Sequence, residues 1–150
     1  MFKDFLFQKY LGAEINSKNK VTDEIHRRIL AGNRAYYANV TLLKSQLLSR
    51  SSQMKIYKNL IRPVVTYGAE TWNIPAGDAN KLRIFERKII RRIWGPVNEN
   101  GNYRIRSNLE IERALENEDI VSFIRSQRLR WLGHVERMVS HRKPKKTRQP

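Results

Sequence analysis

"TDEIHRRILAGNRAYYANVTLLKSQLL", Thr22 to Leu48, decides the fold class. Ile25, Ile29, Gly32, Tyr36, Val40, Leu43 and Leu47 recur at steps of three and four residues, which places them on one face of a helix. Thr22 is expected to cap this helix, with Asp23 and Glu24 in the first turn where negative charge suits the dipole. Gly32 is unfavourable in a helix interior unless something needs its missing side chain, so it predicts a close backbone approach. Arg27, Arg28, Arg34 and Lys44 lie off the apolar seam.

The same period continues outward. Ser49, Ser51 and Ser52 end the first helix and can cap a second. That helix reads Met54, Tyr57, Leu60, Ile61, Val64, Val65 and Gly68, with a kink expected at Pro63, which removes a backbone donor. "NIPAGD", residues 73–78, breaks the chain, and Asp78 is expected to cap a third helix. Its core face is Leu82, Phe85, Ile89 and Ile93, and Gly95-Pro96 stops it. The polar stretch from Pro96 to Arg106 predicts a loop or a small hairpin around Asn100-Gly101. Ser107 and Glu110 form a capping box that opens a short helix to about Glu116. A last helix starts near Asp119, with Ile120, Ile124, Trp131, Val135 and Met138 expected to face inward. The expected class is mostly α: a helical bundle over residues 21–95, a further helical segment over 96–139, and a basic tail at 140–150. That tail, with its last ten residues "HRKPKKTRQP", is too polar to order.

Charge sets the function class. Thirty Lys and Arg against fourteen Asp and Glu give +16 over 150 residues, a self-repulsion that a polyanion relieves. Nucleic acid is the favoured partner, ahead of an anionic membrane surface. Without cysteine the chain has no disulfide or thiolate metal site, which fits an intracellular setting, nuclear or cytoplasmic. No apolar run reaches the roughly 20 residues of a membrane span.

Catalytic chemistry is not legible. The four aspartates, Asp4, Asp23, Asp78 and Asp119, are isolated, and a two-metal site needs carboxylates converging on ions about 4 Å apart. His26, His134 and His141 have no ligand spacing, and a lone His such as His134 in "LGHVERM" is far more often structural. The sequence holds no P-loop and no nucleophile elbow. No catalytic residue, metal, cofactor or small-molecule substrate is expected.

The functional signal is basic. Arg83, Arg87 and Arg91 stand four apart, so their guanidinium groups line one side of the third helix, with Lys88 beside them. Such a row can follow a phosphate backbone and release counterions, although a solvated helix face has the same pattern. The net charge tips the balance toward binding, with Arg128 and Arg130 as a second patch. Trp72, Trp94 and Trp131 could stack on bases, but their apolar neighbours place them in the core.

"KYLGAEI" (9–15), "RRILAGNRAYY" (27–37), "IYKNLIRPVVTYGAETW" (56–72), "KLRIFERKIIRRIWGP" (81–96) and "RLRWLGHVERM" (128–138) come one after another in an order that carries more information than any one piece. In that order the chain resembles the region C-terminal to the catalytic palm in reverse transcriptases of LINE-type, non-LTR retrotransposons. The resemblance implies that residues 1–20 are a truncated primer-grip hairpin, with Tyr10, Leu11 and Gly12 matching its motif. It implies that Val21–Trp94 is a thumb, a three-helix bundle closing on a template–primer duplex, and that residues 96–139 lie beyond the thumb. The palm's aspartate-pair box does not occur in these 150 residues. The expected function is therefore sequence-nonspecific binding of an RNA–DNA hybrid or duplex by a non-catalytic fragment of an RNA-directed DNA polymerase. The alternative is a decayed remnant that serves only as a helical structural or interaction piece, or has no function.

Overall fold

The computed structural model of the chain describes residues 7–10, 13–16 and 21–142. It is mostly α, as expected. Two antiparallel strands, β1 (Phe7–Tyr10) and β2 (Ala13–Asn16), pair Phe7 with Asn16 and Tyr10 with Ala13. Leu11, Gly12 and the expected tail from residue 143 lie outside the described residues.

Helix α1 (Val21–Lys44) carries its seam much as predicted: Ile25, Gly32, Tyr36 and Leu43 are buried. Gly32 is where α1 meets its neighbours. A Cβ there would clash with Val65 Cγ2 and lie 2.9 Å from Phe85 Cζ, so the close approach inferred from the sequence is real. Two expectations fail at the ends. Leu47 is 97% exposed, because the helix stops at Lys44 and leaves it on a turn. Thr22 lies inside the helix rather than before it, and its hydroxyl donates to Asp78 Oδ2 at 2.7 Å.

The turn out of α1 is held by Gln53, a buried amide whose Nε2 lies 3.3, 3.1 and 2.9 Å from the carbonyls of Leu42, Leu43 and Ser45. Those carbonyls are among the orphan acceptors of a helix end. Ser49 caps α2 (Arg50–Ile56) by accepting from the Ser52 N–H at 3.1 Å. A π-helical turn, Tyr57–Ile61, then leads into α3 (Arg62–Thr66). Here the Arg62 N–H reaches Tyr57 O, five residues back. The disturbance expected at Pro63 thus takes the form of a widened turn just before it, where the proline ring would otherwise crowd a helical carbonyl. Tyr57, Ile61 and Val65 stay buried through the change, while Leu60, expected on the core face, is exposed. A short 3-10 turn, Ala69–Thr71, brings Trp72 into the core.

Helix α4 (Ala76–Trp94) buries Leu82, Phe85, Ile89 and Ile93 as predicted, and Glu86 and Ile90 besides. Its N-cap is Pro75, which offers no side-chain bond; Asp78 sits two residues inside the helix, buried, and accepts from Thr22. The two expected caps therefore bond to each other and join α1 to α4. Gly95 ends α4 at φ 69°, in the left-handed region that glycine tolerates. Strands β3 (Val97–Glu99) and β4 (Asn102–Arg104) form the anticipated hairpin, with Asn100 and Gly101 both at positive φ.

Both halves of the Ser107–Glu110 capping box are present at the start of α5 (Asn108–Ala114), which ends two residues short of Glu116 because Glu116 and Asn117 take positive φ in a tight turn. Asp119 caps α6 (Ile120–His141), which runs into the segment expected to be tail. Ile120, Val121 and Ile124 are buried with Ile111 and Leu115 in the same core as α1 and α4, so residues on both sides of Gly95-Pro96 share one hydrophobic cluster. Past Arg128 nothing among the described residues covers the apolar face: Trp131 is 41% and Met138 47% exposed, against the inward positions expected of them.

Candidate nucleic-acid interface

Helix α4 presents cations along two edges, and the structure treats them differently. Arg83, Arg87 and Arg91 do fall in a line. Each is held by the segment C-terminal to α4. Arg83 Nε donates to Asp119 Oδ2 at 2.8 Å, Arg87 Nη2 lies 3.8 Å from Glu112 Oε1, and Arg91 reaches Arg106 O at 3.2 Å and Asn108 Oδ1 at 2.7 Å. Burial pushes the Asp119 carboxyl up, but hydrogen bonds from Arg83 and Ser122 outweigh it, so the group titrates below its ordinary value. Arg106 returns a bond to Gly95 O at 2.9 Å. Arg104 bridges Glu99 at 2.6 Å and grips both oxygens of Glu110 at 2.9 and 2.8 Å. The bonds from Arg104 and Ser107 hold the Glu110 carboxyl down at about 2. The row ties residues 106–119 to the bundle.

Between Arg83 and Arg87 sits Glu86, 1% exposed. It accepts a hydrogen bond from the Tyr57 hydroxyl and another from the Ile120 N–H, the first amide of α6, at 2.9 Å. Burial raises its carboxyl to about 6, with the Tyr57 and Ile120 bonds pulling the other way. The same burial, with Glu86 alongside, drives the Tyr57 phenol well above its usual value. With Asp119 Oδ1 accepting from the Ser122 N–H at 2.8 Å, two carboxylates hold the N-terminus of α6.

The other edge of α4 faces α1. Lys88 donates to Asn33 Oδ1 at 2.8 Å, and its ammonium lies 4.7 Å from the ring centroid of Tyr36 and 5.2 Å from that of Tyr37. Arg92 Nε donates to the Tyr36 hydroxyl at 3.2 Å, and the residue is exposed. Together with Lys44, Val40 and the Gly95-Pro96 turn, these side chains line a groove of about 580 Å³. Lys44, Lys88, Arg91 and Arg92 contribute four cations to it, and no carboxylate lines it. Tyr37, 65% exposed, is its aromatic wall.

The second predicted patch does not converge. Arg128 is half-buried and donates to Trp72 O at 2.7 Å, whereas Arg130 is exposed and, two residues on, lies roughly 200° around the helix. Arg27 and Arg28 both bond Glu24, and Arg28 also covers Tyr67 at 4.8 Å. Of the predicted residues only Lys88 and Arg91 line the groove; Tyr37, Lys44 and Arg92 were missed. The signal was present but thin: Tyr37 and Lys44 stand seven apart on one side of α1, next to the seam residues Tyr36 and Val40, and Lys88 and Arg92 stand four apart. Among the described residues no three His, Asp or Glu side chains group as metal ligands, and no helix is long and apolar enough to cross a membrane.

The chain is similar to a transposon-derived protein of Caenorhabditis elegans, with 27% identity over 128 residues. The match covers 85% of this chain and 46% of that protein, so the chain spans about half the length of the relative. No family model matches the sequence, and no solved structure matches it.

Proposed function

We propose that this chain derives from a transposon and corresponds to the thumb and post-thumb part of a LINE-type reverse transcriptase, binding nucleic acid without performing chemistry of its own. The order of the sequence motifs supports the polymerase ancestry, and the transposon-derived relative supports the origin. One observation carries the binding role: the groove between α1 and α4 gathers four cations and no acid in a chain of net charge +16. Phosphate contacts give affinity without sequence information, so the partner is a polynucleotide bound nearly sequence-blind, with a template–primer hybrid or duplex as the form the resemblance implies. The binding surface is this groove, with Lys88 kept from the predicted set and Lys44 and Arg92 added.

Fluorescence anisotropy with a labelled RNA–DNA hybrid across a salt series tests this. Affinity falls with salt by a log–log slope of about −0.9 per phosphate neutralised on duplex DNA. Replacing Lys44, Lys88 and Arg92 together by Gln flattens the slope by roughly 2 to 3 units. No binding at low salt, or an unchanged slope in the triple variant, overturns the assignment. Template-dependent primer extension by the purified chain with magnesium or manganese overturns the non-catalytic part.

A further inference from the structure

We propose that the groove receives an unpaired nucleotide, whose base stacks on Tyr37 and whose phosphate lies between Arg92 and Lys44. The proposal rests on the nucleic-acid reading above and narrows the strand state of the ligand bound there.

A tyrosine as exposed as Tyr37 is ordinarily free to turn away, but this ring is held. Tyr36 meets it edge-on, with centroids 5.0 Å apart and planes at 64°, and the Lys88 ammonium lies 5.2 Å from its centroid. Lys88 is in turn fixed by Asn33 and Tyr36. No other aromatic or cationic group contacts the Tyr37 ring among the described residues, so the ring is oriented while most of its surface stays open.

The cations around it divide by availability. Arg91 is bound to Arg106 and Asn108, and Lys88 serves the tyrosines. Arg92 uses only Nε, on the Tyr36 hydroxyl, and Lys44 has no ion-pair partner among the described residues. Two free positive groups thus stand in one groove with an open aromatic face. That combination serves single strands: stacking on an aromatic tolerates any base, and the cations take the backbone. A duplex keeps its bases inside and offers a protein groove only phosphates and edges, so it leaves Tyr37 without a partner. The volume of about 580 Å³ is enough to hold a single nucleotide.

The test compares strand states. Oligo(dT), a blunt RNA–DNA hybrid, and the same hybrid with a short overhang carrying 2-aminopurine at its first unpaired position are titrated with the wild type, Tyr37→Leu and Tyr37→Phe. Tyr37 is exposed, and Tyr37→Phe keeps the edge-on contact to Tyr36 that Tyr37→Leu removes. Wild type binds the overhang more tightly than the blunt hybrid and quenches 2-aminopurine. Tyr37→Leu loses the quenching and binds oligo(dT) roughly 5- to 100-fold more weakly, as expected for one base stack, while blunt-hybrid binding changes less than about twofold. Tyr37→Phe behaves as wild type, because stacking needs the ring and not the hydroxyl. Equal losses on blunt and single-stranded ligands, no loss on either, or failure of Phe to rescue Leu overturns the nucleotide site and leaves the phosphate-binding reading intact. A wild type that binds none of the ligands overturns both.

Discussion

The two edges of α4 carry the same residue types at the same spacing and end in opposite roles. On one, Arg83, Arg87 and Arg91 meet Asp119, Glu112 and the Arg106–Asn108 turn, and become structure. On the other, Lys88 and Arg92 meet the tyrosines and Asn33 of α1, where no carboxylate neutralises their charge. A cation's role is set by what the neighbouring chain brings to it. Spacing along one helix decides only which side it shows.

The largest effect expected from this difference lies at Glu86, the buried anchor of the tied edge. Glu86→Ala leaves the Tyr57 hydroxyl and the Ile120 N–H without an acceptor and opens a cavity beside them. Each orphaned buried group costs about 1–3 kcal/mol, so a total loss of roughly 3–4 kcal/mol is expected, read as a lower urea midpoint. Protection of α6 amides against hydrogen exchange falls with it. A variant as stable as the wild type would mean that α6 is held by its apolar contacts alone.

Whether an edge was legible in the sequence obeys the same division. Ser49, the Ser107–Glu110 box, Asp119, Asn100-Gly101 and Gly95 were all readable, since each acts on a backbone group within a few residues of itself. Gly32 was readable because only a close neighbour explains a glycine in a helical seam. Thr22 and Asp78 were misread as caps because each has its partner 56 residues away. The partners of the arginine row were not legible for the same reason: Arg83 and Asp119 are 36 residues apart, and nothing local marks the meeting. The outer half of α6 shows a further limit. Periodicity established an apolar face through Trp131 and Met138, but a period does not say whether anything covers that face.

A smaller effect is expected from the row itself. Replacing Arg83, Arg87 and Arg91 together by Gln removes partly exposed ion pairs and hydrogen bonds, which solvent weakens, so the loss is about 2–3 kcal/mol in total. The salt slope of hybrid binding, measured where the variant is folded, changes by less than about one unit, since these groups already face their own chain. A slope flattened as much as by the Lys44, Lys88 and Arg92 triple would erase the distinction between the edges.

Protons act on the tied edge. Glu86 titrates near 6 in the folded chain, above its unfolded value, chiefly because burial disfavours its charge. Its favourable contribution is therefore complete below about pH 4.3 and is lost as pH rises through 6. Asp119, held low mainly by Arg83 and Ser122, works in the opposite sense and loses its contribution only as pH falls below the usual aspartate range. Between pH 4.5 and 6.5 the wild type should lose about 1–2 kcal/mol relative to Glu86→Gln, which cannot ionise. Urea midpoints of the two proteins across that range measure the difference. A gap that stays constant with pH shows that Glu86 is not the titrating group.

The smallest effect is the most telling, because it concerns the free edge. Lys88→Gln with Arg92→Gln removes one exposed hydrogen bond to Asn33, one bond to the Tyr36 hydroxyl and the ammonium over the two rings. Those contacts are worth a few tenths of a kcal/mol each at exposed positions. Two fewer positive charges in a chain of +16 relieve self-repulsion by a similar amount. The two terms oppose each other, so stability should stay within about 0.5 kcal/mol of the wild type, while the salt slope flattens by roughly 2 units. Urea melts and anisotropy on the same preparation give both numbers. A loss above about 1 kcal/mol would show that this edge is structural too, and that α4 has no side reserved for a ligand.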